Sequence, residues 1–148
     1  MIRSACAADL DRIESIENKS FVTPWSRASI EAELYKDYSR FFVYQEGDEV
    51  VGYIIIWDLQ REWEVVTLAV AERFRRKGIA DGLLKYVLSL SHDYSEWRLE
   101  VACNNHAAVC LYEKHGFKNV GVIRDYYGQG QDAYRMLRSS SFLRGGSI

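Results

Sequence analysis

No apolar run in this chain of 148 residues approaches the roughly 18 residues that a membrane-spanning helix requires. The sequence therefore predicts a soluble protein with no membrane partner. Cysteine is scarce: Cys6, Cys103 and Cys110 are odd in number, and no basic start leads into an apolar stretch with a small-residue cleavage site. These features predict free thiols in a reducing cytoplasm, packed as small hydrophobes. His92, His106 and His115 stand at spacings that build no metal site with the cysteines, and His-Glu-x-x-His and Cys-x-x-Cys are both absent. No metal is expected. The chain also lacks an excess of positive charge. Its formal net charge is −2 and its pI about 5.9, which argues against a direct nucleic-acid partner, since such proteins usually spread basic charge over a whole face.

What is present is apolar and aromatic. Hydrophobic residues make up 48% and aromatics 14%, enough for one domain with a single core and too much for a disordered chain. There is no internal repeat. Ile2 to Cys6 reads as an opening strand, and Leu10, Ile13 and Ile16 recur at helical spacing. The lone proline, in Thr23-Pro24-Trp25-Ser26, breaks that helix. Ser26 can cap a second one running to about Tyr35, with Trp25 and Ile30 as a hydrophobic staple. Phe41 to Gln45 and Val50 to Trp57 read as a hairpin, with a third strand from Glu64 to Val70. A helix beginning near Gly78 aligns Ile79, Leu83, Tyr86, Val87 and Leu90 along one stripe. Trp97 to Ala102 alternates as a strand, Asn104 or Asn105 can cap a further helix ending at Gly116, and Phe117 to Ile123 and Ala133 to Leu137 close the pattern. The tail from residue 139 to 148 is Ser/Gly-rich and expected to fray. The fold class predicted is α/β (α+β) with a mainly antiparallel sheet.

The most informative stretch runs from Val70 to Leu84. A strand empties into Arg73-Phe74-Arg75-Arg76-Lys77, four of whose five residues are cationic, and then into Gly78, Ala80 and Gly82 at the start of a helix. Small residues let a ligand approach the backbone, and the first-turn N–H groups and helix dipole attract an anion. A solvated basic loop is the bland alternative. The coincidence of charge, small residues and strand-to-helix context favours an anion site of the kind that holds a pyrophosphate.

Arg75-Arg76-Lys77-Gly78-Ile79-Ala80 resembles the Arg/Gln-x-x-Gly-x-Gly/Ala motif of the Gcn5-related N-acetyltransferases. It differs from the P-loop and from the Gly-x-Gly-x-x-Gly dinucleotide turn. The resemblance extends to the element order and covers residues 1 to 138. It implies a single-domain fold with a mixed sheet flanked by helices and splayed at the cofactor site. It also implies acetyl-CoA as co-substrate, with the pyrophosphate on Arg75, Arg76, Lys77, Gly78, Ile79, Ala80 and Asp81. The acetyl-pantetheine arm is expected to pair like an added strand with Leu68, Ala69 and Val70.

A second segment is more discriminating. Leu99-Glu100-Val101, an Asn at 105, then Ala108, Leu111-Tyr112-Glu113 and Gly116-Phe117 are similar to the RimI-type branch, whose members acetylate the N-terminal alanine of ribosomal protein bS18. Phe21 to Ser26 and Arg124 to Met136 resemble the same branch. The implied partner is a protein N-terminus, such as that of a ribosomal protein. By this resemblance Tyr112 is the general acid for the departing thiolate, and its alternative is a core aromatic. Glu100 has the opposite strand parity to Leu99 and Val101, so it can face the site and take the ammonium proton directly or through water. Its alternative is a solvated carboxylate, and Glu62 and Glu64 are lower-ranked bases. The Val70 N–H can polarise the acetyl carbonyl. Asn105 is either a cofactor contact or a helix cap. Trp25 and Tyr127, with Tyr126, would wall the peptide-side mouth, or serve as scaffold aromatics. Three departures from the branch pattern fall near the substrate side or the loop: Ala80, Ala102 and Gly128. Lysine, polyamine or small-molecule amines, and CoA binding without catalysis, are the competing functions.

Overall fold

The computed structural model describes residues 1–92 and 94–139, in two compact units, Met1–Asp58 with Val65–Leu90 and Leu59–Glu64 with Ser91 onward. The frayed tail expected from 139 onward therefore lies outside the described residues apart from Ser139. Among those described, no helix is long and apolar enough to cross a membrane.

In the first unit, β1 (Ile2–Ser4) leads through a short 3-10 turn into α1 (Leu10–Ser20) and α2 (Arg27–Ala32). The meander of β2 (Ser39–Glu46), β3 (Glu49–Leu59) and β4 (Glu62–Val70) follows, and then α3 (Ile79–Leu88). Antiparallel ladders join β1 to β2 and β2 to β3. The two parities of these strands serve different helices. Phe41, Val43, Tyr53 and Ile55 pack with Leu10, Ile13, Ile16 and Ile30 from α1 and α2, whereas Phe42 meets Tyr86 of α3 edge to face at 5.1 Å. Because both of its faces are covered, β3 is buried continuously from Val50 to Ile56 rather than alternating.

Local chemistry explains the boundaries. Ser26 Oγ accepts from Ser29 N at 3.1 Å, the cap anticipated from sequence. The predicted extension of α2 to Tyr35 is wrong: the helix ends at Ala32. Glu33, Leu34 and Tyr35 donate their N–H groups three residues back, to Ile30, Glu31 and Ala32, which tightens the chain into turns. Glu33 is drawn inward by Trp57 Nε1 at 2.6 Å and Ser39 Oγ at 2.9 Å. In α3 the buried stripe is Ile79, Leu83, Leu84 and Val87. Tyr86 is exposed, its ring reaching Phe42 from the rim, and Leu90 lies past the helix end.

In the second unit, the first residues of β4 pair in parallel with β5 (Glu96–Ala102) over three positions, Glu62 with Glu96, Trp63 with Trp97 and Glu64 with Arg98. β5 then runs antiparallel to β7 (Ala133–Arg138), which is antiparallel to β6 (Lys118–Ile123). Trp97, Leu99, Val101, Phe117, Ala133 and Met136 are buried, so the inward parity of β5 is the one read from sequence. Between β5 and β6 lies α4 (His106–Lys114), ended by Gly116 at φ 92°, a conformation suited to glycine.

The cysteines depart from expectation. None is disulfide-bonded, but Cys6 and Cys110 are exposed and Cys103 half-buried rather than packed in the core. Cys6 stands before the 3-10 turn, where its N–H donates to Asp9 Oδ2 at 2.9 Å; the position serves a turn, not a core.

Candidate active site

Arg75 to Asp81, Leu68, Ala69 and Val70, the residues expected from sequence to meet the cofactor, all belong to the first unit, as does Trp25. After Val70 a 3-10 turn, Glu72–Phe74, carries the chain out to four successive exposed residues, Arg75 to Gly78. Arg76 (φ 64°) and Gly78 (φ 81°) both occupy the left-handed region, and Gly78 is the residue from which α3 begins. A side chain built on Gly78 or Gly82 would meet nothing within 4 Å. Space is thus open at these two glycines, beside the first-turn N–H groups of α3, a setting that suits an anionic group.

The cations divide their work. Arg75 Nε donates to the Val70 carbonyl at 2.9 Å, so this guanidinium braces the strand end. Arg73 is paired with Glu49. The Lys77 ammonium lies 5.3 Å from the Phe74 ring centroid, exposed and beside the backbone turn. By sequence these charges are alike, whereas the structure gives Arg75 a backbone partner and leaves Lys77 on the surface.

In the second unit, the carboxylate of Glu100 accepts from Arg135 Nη2 at 3.2 Å, and its side chain stands on the parity opposite to buried Leu99 and Val101. Glu64 pairs with Arg98 at 2.9 Å, while Glu62 is exposed. Tyr112 is buried against Phe117, ring centroids 5.7 Å apart. Desolvation, reinforced by the nearby Tyr127 hydroxyl, raises its pKa well above that of a free tyrosine, so it keeps its proton at any physiological pH. Asn105 caps α4, its Oδ1 accepting from Ala108 N at 3.2 Å.

Tyr127 Oη donates to the Glu100 carbonyl at 3.4 Å, and its pKa is pushed up to about 12 by burial, then by Tyr126 and Glu100. Tyr126 meets it edge to face at 4.8 Å. The loop carrying both is strapped by carboxylates: Asp125 Oδ1 accepts from Gly130 N at 2.7 Å, and Asp132 Oδ1 from Asp125 N at 2.9 Å. The second unit thus brings Glu100, Tyr112 and Tyr127 into one neighbourhood. Among the described residues, no group of three or more His, Cys, Asp or Glu side chains is placed to hold a metal ion.

Two residues escaped the sequence reading. Gly52, inside β3, lets the end of β4 and the start of α3 approach: a Cβ there would lie 3.2 Å from the Ala69 carbonyl oxygen, 3.2 Å from Val70 Cγ2 and 3.3 Å from Ile79 Cγ2. A glycine within an apolar strand is the available signal. Gly52→Ala is expected to destabilise the fold by about 1–3 kcal/mol through overpacking, and to weaken acetyl-CoA binding in titration calorimetry because the displaced atoms belong to the strand end. The second is Glu17, a buried carboxylate on α1.

Residues 10–117 match the family model described as the acetyltransferase (GNAT) family. The chain belongs to this family, whose members use acetyl-CoA as acyl donor. It is 39% identical to an N-alpha-acetyltransferase of Saccharolobus solfataricus over 153 residues, covering 93% of this chain and 91% of the relative. Identity to the N-alpha-acetyltransferase RimI of Mycobacterium tuberculosis is 36%, over 90% and 88% of the two chains. The crystal structure of Ard1 from Thermoplasma volcanium is similar in fold, with a TM-score of 0.84 at 30% identity, over 94% of this chain and 96% of that one.

Proposed function

We propose that this protein transfers the acetyl group of acetyl-CoA to the α-amine at a protein N-terminus, with an N-terminal alanine such as that of ribosomal protein bS18 as the preferred acceptor. The observation that carries this reading is the grouping of Glu100, protonated Tyr112 and the Tyr127 loop. Identity to proteins named as N-alpha-acetyltransferases supports it.

The backbone N–H groups of Gly78, Ile79, Ala80 and Asp81 at the start of α3, with Arg76 and Lys77 beside them, would receive the pyrophosphate. Arg75 holds the loop to Val70, whose N–H would stabilise the oxyanion as the amine adds to the thioester carbon. The pantetheine arm would run along Leu68, Ala69 and Val70. Asn105, already engaged as a cap, can contact the cofactor through its remaining amide group. Glu100 would accept the ammonium proton, directly or through water, as the C–N bond forms. When the C–S bond breaks, Tyr112 would deliver its proton to the sulfur. Trp25 and Tyr127 would border the peptide.

Amine chemistry favours the α-position. Ordinary pKa values of about 7.8 for an α-amine and about 10.4 for lysine make a neutral lysine costlier by roughly 3.5 kcal/mol. With equal positioning, a peptide beginning with alanine is expected to outpace an α-blocked copy bearing a lysine by about 100-fold or more, measured by mass spectrometry of the acetylated site. Equal rates would assign the activity to lysine instead.

A further inference from the structure

Glu17 lies on the apolar stripe of α1 and is only 1% exposed. Its Oε2 accepts from the backbone N–H of Trp25 at 2.9 Å, while Oε1 accepts from the Tyr53 hydroxyl and, at 3.5 Å, from the Thr67 hydroxyl. Among the described residues no lysine, arginine or histidine pairs with it. Burying a carboxylate among neutral donors is an expensive way to fill a core, and an apolar side chain of similar volume would usually stabilise the fold as well or better. What the carboxylate supplies is direction. Two oxygens facing different ways tie the segment between α1 and α2 to β3 and β4 at one fixed distance. The Tyr53 pKa is raised, by burial first and the Glu17 charge second, so its hydroxyl remains a donor and holds Oε1 in place.

The tied point matters because of what surrounds it. Val22 is 83% exposed and Pro24 is exposed too, and two bonds to Glu17 flank this stretch: Phe21 N donates to the Glu17 carbonyl at 3.2 Å, and Trp25 N to its carboxylate. Both of these bonds end on Glu17, and the side chains of Phe21 and Trp25 pack against the core beside them. Trp25 then passes directly into the Ser26 cap of α2.

We propose that Glu17 is a positioning residue of the peptide site, setting acceptor affinity through the backbone of Trp25 without touching substrate. The proposal rests on the reading of Trp25 as part of the peptide mouth.

The test is steady-state kinetics with acetyl-CoA and an alanine-initiated peptide. Glu17→Leu is expected to raise the peptide KM by about tenfold, the scale of one lost hydrogen bond to a charged acceptor, with kcat and the acetyl-CoA KM changed by less than about threefold. Glu17→Gln, which can keep one oxygen on the Trp25 N–H while its amide donates to a hydroxyl, should recover most of the loss. In a Trp25→Ala background the Glu17→Leu effect should vanish, because both changes act on one element. Should the leucine variant not fold, Glu17→Gln carries the same comparison, with a KM rise of about threefold confined to the peptide. An unchanged peptide KM in a folded Glu17 variant, an equal rise for acetyl-CoA, or a full effect in the Trp25→Ala background would overturn the proposal. If Trp25→Ala itself leaves the peptide KM unchanged, the mouth reading fails instead, and the two failures are distinct.

Discussion

Tyr112→Phe is expected to reduce turnover by about 100-fold or more, the usual contribution of a positioned acid, while acetyl-CoA affinity and folding change little. The ring that packs on Phe117 is retained, so the substitution removes the hydroxyl with its proton and little contact area. Burial keeps that proton on the oxygen, available when the thiolate departs. Single-turnover measurement of thiol release, with calorimetry on the same variant, separates chemistry from binding. Glu100→Gln should slow the reaction similarly at neutral pH, and its deficit should shrink as pH rises, because more amine arrives already neutral. A Tyr112→Phe enzyme with near-normal turnover would return Tyr112 to the role of core aromatic.

Gly78→Asp is expected to eliminate measurable acetyl-CoA binding and the thermal stabilisation that acetyl-CoA gives the parent protein. A ligand at about 100 times its dissociation constant raises stability by about 2.7 kcal/mol, so the contrast is large. The variant should fold. A side chain at Gly78 meets nothing within 4 Å, and Asp is among the residues that best tolerate the left-handed backbone found there. What changes is charge: a carboxylate stands among the donors of the first turn of α3, where a pyrophosphate would have to approach. Gly78→Ala isolates the backbone effect, with a strain of about 1–2 kcal/mol and no charge. Retention of binding in a folded Gly78→Asp protein would place the cofactor elsewhere.

Element order was legible because apolar spacing and caps agreed along the chain. Leu10, Ile13 and Ile16 announced α1; Ser26 announced the start of α2, and the pair Asn104 or Asn105 that of α4, where Asn105 is the cap; the parity of Leu99 and Val101 placed Glu100 on the opposite side. Misreadings arose where a tertiary partner overruled local pattern. The hydrogen bonds that draw Glu33 inward stop α2 early. Leu84 displaces Tyr86 from the buried stripe because α3 presents a slightly different face to the sheet. Glu17 was readable in principle: it stands one turn beyond Ile13 and two beyond Leu10, a charge on an apolar face. Its meaning required Tyr53 and Thr67, which are distant in sequence and invisible to any local window, and the backbone N–H of Trp25, whose partner no residue pattern announces. The individual duties of Arg73, Arg75 and Lys77 were likewise set by Glu49, Val70 and Phe74 rather than by their own spacing.

The loop between β6 and β7 is strapped by Asp125 and Asp132 bonding to backbone N–H groups and tied to β5 by the Tyr127 hydroxyl, while Tyr126 stands exposed. Shape and display are therefore encoded at different positions. If this loop borders the peptide as proposed, substitution of Tyr126 would change which peptides are welcomed without removing the carboxylate bonds beneath it. On that proposal, acceptor preference can diverge under selection at exposed Tyr126 while the carboxylate straps of the loop stay in place.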